Sequence, residues 1–297
     1  MKTPRAYHYL NLDGKDKMFP EVAYRLTDIT SPTMDYHYHN GYEIFQVWSR
    51  EGYVLVEDKI YPMKPGYIYI VNSLDLHRTN PSPDGPYIRN KVTFTPFFCQ
   101  EILESMDELR LLEPFMNKNS KFSHNIIPDK DLALQVDTLF QEMARENREK
   151  EIGYHTVLWA GLLELLTLIY RWYTQNREVF PPVSTPAHSH VQKAMTYISD
   201  HLGDNLTIEE ICDSLYLSKY YLCHLFKKIT GFTLMEYVLQ KRTAEAKKLL
   251  LMSDQSISRI AAATGFNSFS IFSRTFKSVT GLAPSAYRKQ YKRLKTL

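Results

Sequence analysis

The sequence predicts an α+β chain of two domains. An antiparallel β-barrel with trailing helices comes first, and an all-α domain of two similar helix pairs joined by a long helix follows. Three observations carry this prediction. Hydrophobic periodicity changes from strand-like to helical after Phe98. One segment is stated twice, as "SKYYLCHLFKKITG" from Ser218 and "NSFSIFSRTFKSVTG" from Asn267. Charge also divides between the halves. Residues 188–297 carry 16 Lys and Arg against 8 Asp and Glu, a net of +8, whereas residues 1–187 carry 20 against 25.

From Tyr42 to Thr95 the chain runs in short stretches rich in Tyr, Ile, Val and Phe: "GYEIFQVW", "GYVLVED", "GYIYIV" and "YIRNKVTFT". Turn residues in "REG", "KPG" and "NPSPDGP" separate them, which predicts an antiparallel barrel or sandwich. Helical spacing then predicts helices over residues 130–149 and 151–175. The second carries Leu158, Leu162, Leu165, Leu166 and Ile169 on one apolar face. Two uses are open to that face, packing on the barrel or forming the seam of a homodimer. The run "VLWAGLLELLTLIY" is shorter than the roughly 20 residues a membrane span needs. Glu164 interrupts it, so no membrane association is expected.

Residues 1–176 thus read as one domain and residues 191–297 as another. Between them, 177–190 reads as a linker, because its prolines oppose both helix and central strand. An acidic half and a basic half joined this way suggest a sensor attached to a binder of polyanions. Composition is globular, 44% hydrophobic and 23% charged, which excludes a disordered chain. Cys99, Cys212 and Cys223 are few and widely spaced, arguing against a disulfide scaffold or zinc cluster. The opening "MKTPRAYHYLNLDGKDK" lacks the apolar core of a secretory signal. A cytoplasmic location is therefore expected.

The repeated unit is longer than its quoted helix. In the first copy, over 207–231, Thr207 caps "IEEICDSL", Glu210 completes a capping box, and Ser218 caps the helix starting at Lys219. In the second, over 256–281, Ser256 leads "ISRIAAATG", Gly265 supplies the break and Asn267 caps the next helix. Ile211 answers to Ile260, Leu217 to Phe266 and Phe226 to Phe276, an offset of 49 that slips to 50 inside the second helix. Two short helices at a tight turn, the second basic and capped, make a helix-turn-helix. The capped end offers free N–H groups to a phosphate, and the helix suits a major groove about 12 Å wide. Leu222, Leu225, Phe226 and Ile229 form an apolar stripe, which turns Lys219, Tyr220, Cys223, His224 and Lys227 outward. Phe272, Phe276 and Val279 do the same in the second copy, turning Phe269, Ser270, Ser273, Arg274 and Lys277 outward. A helix from Leu234 to Leu251 joins the units, so one protomer is expected to read two successive groove segments.

At these residues the last 110 positions resemble the DNA-binding domain of the AraC/XylS family of bacterial transcriptional regulators. The likeness runs through "YLCHLFKKITG", "KRTAEAKKLL", "IAAATGFNSFSIFSRTFKSVTG" and "APSAYRK". It implies double-stranded DNA as a partner, with base-reading residues at Tyr220, Cys223 and His224 and at Phe269, Ser270, Ser273 and Arg274. It also implies an activator that contacts RNA polymerase. Three residues depart from the family's habit. Tyr216 stands where the turn often has glycine, so a differently shaped first turn is expected; Cys223 replaces a hydroxyl or amide residue, and His224 an arginine.

The stretch "YHYHNGYEIF" places His37 and His39 on one face of a strand. Glu43 follows four residues later, and His77 comes after "KPGYIYIVNSLDL". Three histidines and a carboxylate suit an open metal site or the polar wall of a ligand pocket. The pattern resembles the His-x-His…Glu…His set of cupin barrels over Met34–Phe94, which implies a cupin-like N-terminal domain. Regulators of the AraC family commonly carry such a sensor without metal. His37, His39, Glu43 and His77 are therefore expected to bind a small-molecule effector, with no catalytic residue, no cofactor and no resident metal. Tyr36, Tyr38, Tyr42, Trp48, Tyr53, Tyr61, Tyr67 and Tyr69 either wall a pocket for the ring faces of a sugar-like effector or simply fill the strands. The expected protein is an effector-responsive DNA-binding activator. The alternative is a metal-dependent cupin enzyme with a basic accessory domain.

Overall fold

The computed structural model describes residues 19–28, 37, 39, 41–72, 75–116, 123–176 and 185–292. Its strands are β1 (Glu21–Asp28), β2 (Tyr42–Ser49), β3 (Gly52–Val56), β4 (Lys59–Met63), β5 (Ile68–Val71), β6 (His77–Pro81), β7 (Tyr87–Phe94) and β8 (Asn125–Ile126). They form a five-stranded sheet in the order β1-β7-β2-β5-β8 and a three-stranded sheet in the order β4-β3-β6. All pairings are antiparallel. The four apolar runs of the sequence are β2, β3, β5 and β7.

Alternation gives each sheet two working faces. On the large sheet, Ile44 lies in register with Ile70 and Val92, and all three pack under helices. Phe45, Val47, Tyr69, Val71 and Tyr87 on its other face pack with Val54, Val56, Tyr61 and Met63 of the small sheet. A sandwich interior therefore lies between the sheets. Helices α1 (Pro96–Ser105) and α2 (Glu113–Met116) lead to α3 (Lys130–Glu149) and α4 (Tyr154–Gln175), which cover the large sheet. Asp129 caps α3 by accepting from the Leu132 amide at 2.8 Å. Leu158, Leu162, Leu165, Leu166 and Ile169 of α4 are all buried with Val136, Phe140 and Met143 of α3. Of the two uses open to that face, packing within the chain is the one observed. No helix among the described residues is long and apolar enough to cross a membrane.

The helical domain comprises α5 (Pro186–Asp200), α6 (Ile208–Ser214), α7 (Lys219–Thr230), α8 (Leu234–Met252), α9 (Ile257–Ala263), α10 (Phe269–Thr280) and α11 (Pro284–Lys292). Helix α5 starts inside the expected linker, which corrects its boundary. Pro186 sits in the first turn after the Thr185 cap, where a fixed φ and a missing N–H do no harm. Residues 177–184 of that linker lie outside the described residues.

One core belongs to both domains. Leu55, Ile60 and Leu76, on the outer face of the small sheet, are buried with Val191, Met195, Phe226, Ile229 and Tyr237. Burying each such aliphatic side chain contributes about 1.5–3 kcal/mol. Polar contacts surround this seam. The Tyr237 hydroxyl donates to the Glu57 carbonyl at 2.9 Å, and the Thr196 hydroxyl to Asp58 at 3.0 Å. Lys241 pairs with the Glu57 carboxylate, and Arg78 donates to the Thr230 carbonyl at the end of α7. Position 231 favours glycine because its φ of 80° is one that L side chains rarely adopt, and the Arg78 guanidinium lies where a Cβ would sit.

Candidate nucleic-acid interface and effector site

The two helix-turn-helix units are built by the same local bonds. Thr207 accepts from the Glu210 amide at 3.2 Å, and Glu210 accepts from the Thr207 amide at 2.8 Å, closing the expected capping box. After α6 the Tyr216 amide reaches the Asp213 carbonyl at 3.1 Å and the Leu217 amide reaches the Cys212 carbonyl at 3.0 Å. After α9, 49 positions on, Gly265 reaches Ala262 and Phe266 reaches Ala261, both at 3.0 Å. Ser218 caps α7. The cap of α10 is Ser268 and not Asn267. The slip from 49 to 50 thus falls in the turn, where Asn267 is the added residue and its amide reaches Asn205 at 3.2 Å. Glycines at positive φ, Gly231 and Gly281, end α7 and α10.

Tyr216 does not reshape the first turn. It adopts φ 55°, close in kind to the 80° of Gly265, and its side chain is 96% exposed. A non-glycine residue there carries strain of about 1–2 kcal/mol without burial to offset it. Tyr216→Gly is expected to stabilise the chain by about 0.5–1 kcal/mol once glycine's greater freedom when unfolded is subtracted. Chemical denaturation checks this, and a lower midpoint for the variant contradicts it.

Most of the expected DNA-facing residues do face out. Lys219, Tyr220, His224 and Lys227 are exposed on α7, as are Phe269, Ser270, Arg274 and Lys277 on α10. Cys223 and Ser273 are half-buried, and Cys223 packs against the shared core. Lys219 is already engaged, its ammonium 2.6 Å from Glu209. Among the described residues no ion pair holds Lys227, Arg274 or Lys277. Helix α8 packs against α7, α9, α10 and α11, and its buried Arg242 donates to the Leu202 and Asp204 carbonyls at 3.0 and 2.6 Å. The two units are therefore tied to one rigid rod about 28 Å long at 1.5 Å per residue.

The second group of polar residues lies between the sheets, at the Glu43 end of β2. His37 and His77 exchange backbone hydrogen bonds of 3.0 and 2.9 Å, which sets their rings 4.1 Å apart. The His39 ring is 5.0 Å from His77. Its Nδ1 lies 2.9 Å from the Gly41 carbonyl and its Nε2 3.1 Å from Glu43. His77 Nδ1 lies 2.9 Å from the Asp75 carbonyl. His39 and His77 are 0% and 1% exposed, so these contacts form out of bulk water. Burial alone would raise the Glu43 carboxyl, but Lys91 at 3.4 Å and the His39 hydrogen bond hold it well below the usual range. Burial, reinforced by His37 and His39, pushes His77 well below an ordinary histidine.

All four residues expected at this site are thus brought together. Sequence reasoning missed Lys91, although a signal existed. Ile88, Asn90, Val92 and Phe94 mark the helix side of β7, so Lys91 must share the inner face with Tyr87 and Arg89. The aromatic set, by contrast, is divided. Tyr61 and Tyr69 line the interior. Tyr42 packs on Phe94 and Phe115, Tyr53 reaches toward the Ile229 carbonyl, and Trp48 lies exposed under Arg25. Tyr36 and Tyr38 lie outside the described residues.

Comparison with known proteins finds two domain models that match the chain. A model described as an AraC-like ligand binding domain matches residues 19–162, and a helix-turn-helix domain matches residues 211–290. The regulatory protein PocR of Salmonella typhimurium is 41% identical over 106 residues, 36% of this chain and 35% of that protein. The arabinose operon regulatory protein of Escherichia coli is 35% identical over 136 residues, 46% of this chain and 45% of its own length. The transcriptional activator RhaR of Yersinia pseudotuberculosis is 24% identical over 257 residues, 86% of this chain and 84% of that protein. With an AraC-like ligand-binding domain leading into paired helix-turn-helix units, the chain belongs to the AraC family of DNA-binding transcriptional regulators.

Proposed function

We propose that the chain is an activator whose affinity for DNA changes when a small hydroxyl-rich effector of the carbohydrate class binds between the sheets. Helices α7 and α10 read adjacent major-groove segments, with Tyr220, Cys223 and His224 on the first and Phe269, Ser270, Ser273 and Arg274 on the second. The effector sits beside His39, Glu43 and His77. Activation involves contact with RNA polymerase, and the working unit is a homodimer. The names of two relatives support this reading, one an arabinose operon regulator and the other a transcriptional activator.

One observation carries the coupling. His77 and Arg78 are neighbours on β6, so their side chains point to opposite faces of the small sheet. His77 belongs to the buried cluster, while Arg78 holds the last carbonyl of α7. Leu76 lies in the shared core, and the Asp75 carboxylate faces Lys248 of α8 at 3.9 Å. A shift of His77 therefore moves the residues that seat the first unit. An effector acts only through unequal affinity for the two arrangements. The usual coupling of about 1–3 kcal/mol changes operator affinity by about five- to 150-fold.

Titrating operator duplex with and without members of a sugar panel tests this. His39→Ala and Glu43→Ala are expected to lose the effector response and to keep effector-free operator affinity. A full response in both variants places the effector elsewhere.

A further inference from the structure

We infer that Phe269 reads the 5-methyl group of a thymine in the second groove segment, a specificity that rests on the assignment of α10 as a base-reading helix. Phe269 is the first residue of α10, directly after the Ser268 cap, and is 51% exposed. Side chains on a helix lean toward its N-terminus, so this ring projects ahead of the first turn. That turn is the part of a recognition helix that reaches base edges. The ring centroid lies 6.2 Å from that of Phe272, which is buried and packs in turn on Phe266 and Phe276. One side of Phe269 therefore rests on the core of the unit while the rest meets water. A ring propped this way has little side-chain freedom left to lose on binding.

The first unit fills the same position differently. An offset of 50 matches Phe269 with Lys219, whose ammonium is 2.6 Å from Glu209 of α6. At the offset of 49 that holds for the leading helices, Glu209 answers to Ser258 of α9. The second unit thus has neither the charge nor its tether, and it presents an apolar ring where the first presents an ammonium. Ser270 and Arg274, exposed on the same helix, carry the polar groups.

The chemistry of the groove selects the base. Thymine alone carries a methyl group on its major-groove edge, whereas adenine, guanine and cytosine offer amino donors or ring and carbonyl acceptors. A phenyl ring set against one of those groups displaces its water and returns no hydrogen bond. Set against thymine, the ring buries the methyl group. Phe269 and Arg274 are five residues apart, about 7.5 Å along the helix axis. That spacing matches about two base steps of 3.4 Å, so the thymine lies about two base pairs from the guanine that Arg274 meets.

The test uses the full chain and a duplex selected by it from a random pool. Each thymine of the second segment is replaced singly by deoxyuridine, which deletes the methyl group and keeps the base pair. One replacement, about two base pairs from the guanine, is expected to weaken binding about fourfold, the worth of one buried methyl group. At that position 5-methylcytosine should bind more tightly than cytosine. Phe269→Ala should bind the thymine and uracil duplexes alike, and so should Phe269→Gln, which keeps the reach of the side chain without its apolar surface. The uracil and 5-methylcytosine comparisons use unaltered protein, so they stand even if both variants loosen the unit. A selected segment without thymine, a wild type indifferent to every uracil, or an undiminished uracil effect in both variants overturns the inference. If Arg274→Ala still relaxes preference in that segment, the base-reading assignment of α10 survives that failure. If Arg274→Ala changes nothing either, the assignment falls with it.

Discussion

Raising salt from about 50 to about 200 mM is expected to weaken duplex DNA binding by the full chain by about 10³- to 10⁵-fold. The expectation follows from where the charge lies. Residues 188–297 carry the net +8 within a chain whose total is only +3. Lys227, Arg274 and Lys277 stand exposed on the two candidate recognition helices, and both helices begin at capped N-termini of the kind that suits a phosphate. Each neutralised phosphate contributes about −0.9 to the slope of log affinity against log salt, and 6–10 contacts produce the stated range. Lys219 contributes less than its position suggests, because its ion pair with Glu209 must open first. Lys227→Ala and Lys277→Ala should each reduce the slope by about 1. A slope shallower than about −3 leaves too few phosphate contacts for two engaged helices.

Arg274→Ala is expected to remove about 1–3 kcal/mol of base discrimination, a five- to 150-fold loss, confined to one groove segment. Arg274 is exposed on α10 beside Ser270 and Phe269, and no carboxylate among the described residues engages its guanidinium. The free fork can meet both acceptors of a guanine edge, a geometry that lysine cannot reproduce. Lys277 lies in the last turn of α10 and is expected to meet a backbone phosphate, where a single ammonium reads charge alone. Lys277→Ala should therefore lower affinity for every sequence alike. Competition against single-base variants of a bound duplex separates the two outcomes. Equal, sequence-independent losses in both variants contradict the assignment.

Helix limits were legible because helices are terminated by local chemistry. Asp129 and Thr233 cap α3 and α8 where their sequence periodicity begins. Helix α4 starts at Tyr154, after the expected 151, because Gly153 adopts φ 88° as its cap. Strand β6 was less visible. "HRTNP" has no apolar alternation, and it is buried because His77 and Thr79 turn to the interior while Arg78 turns to the second domain. Strand β1 is an edge strand whose register shifts between Ala23 and Leu26, which breaks the period-two pattern. The four-residue polar cluster was readable from spacing and strand parity. Its link to the helical domain was not, because Leu55 and Ile60 look like ordinary core positions until the sheet to which they belong is known to be covered on both sides.

The claim that one protomer reads two adjacent groove segments is tested most directly by selecting preferred duplexes from a random pool with the full chain and footprinting the winners. Two information-bearing segments per protomer are expected, centred about 10 base pairs apart and protected on one face of the duplex. Repeating the selection with Arg274→Ala should erase preference in one segment and leave the other intact. A single segment per protomer, or two segments degraded equally by that substitution, contradicts the account.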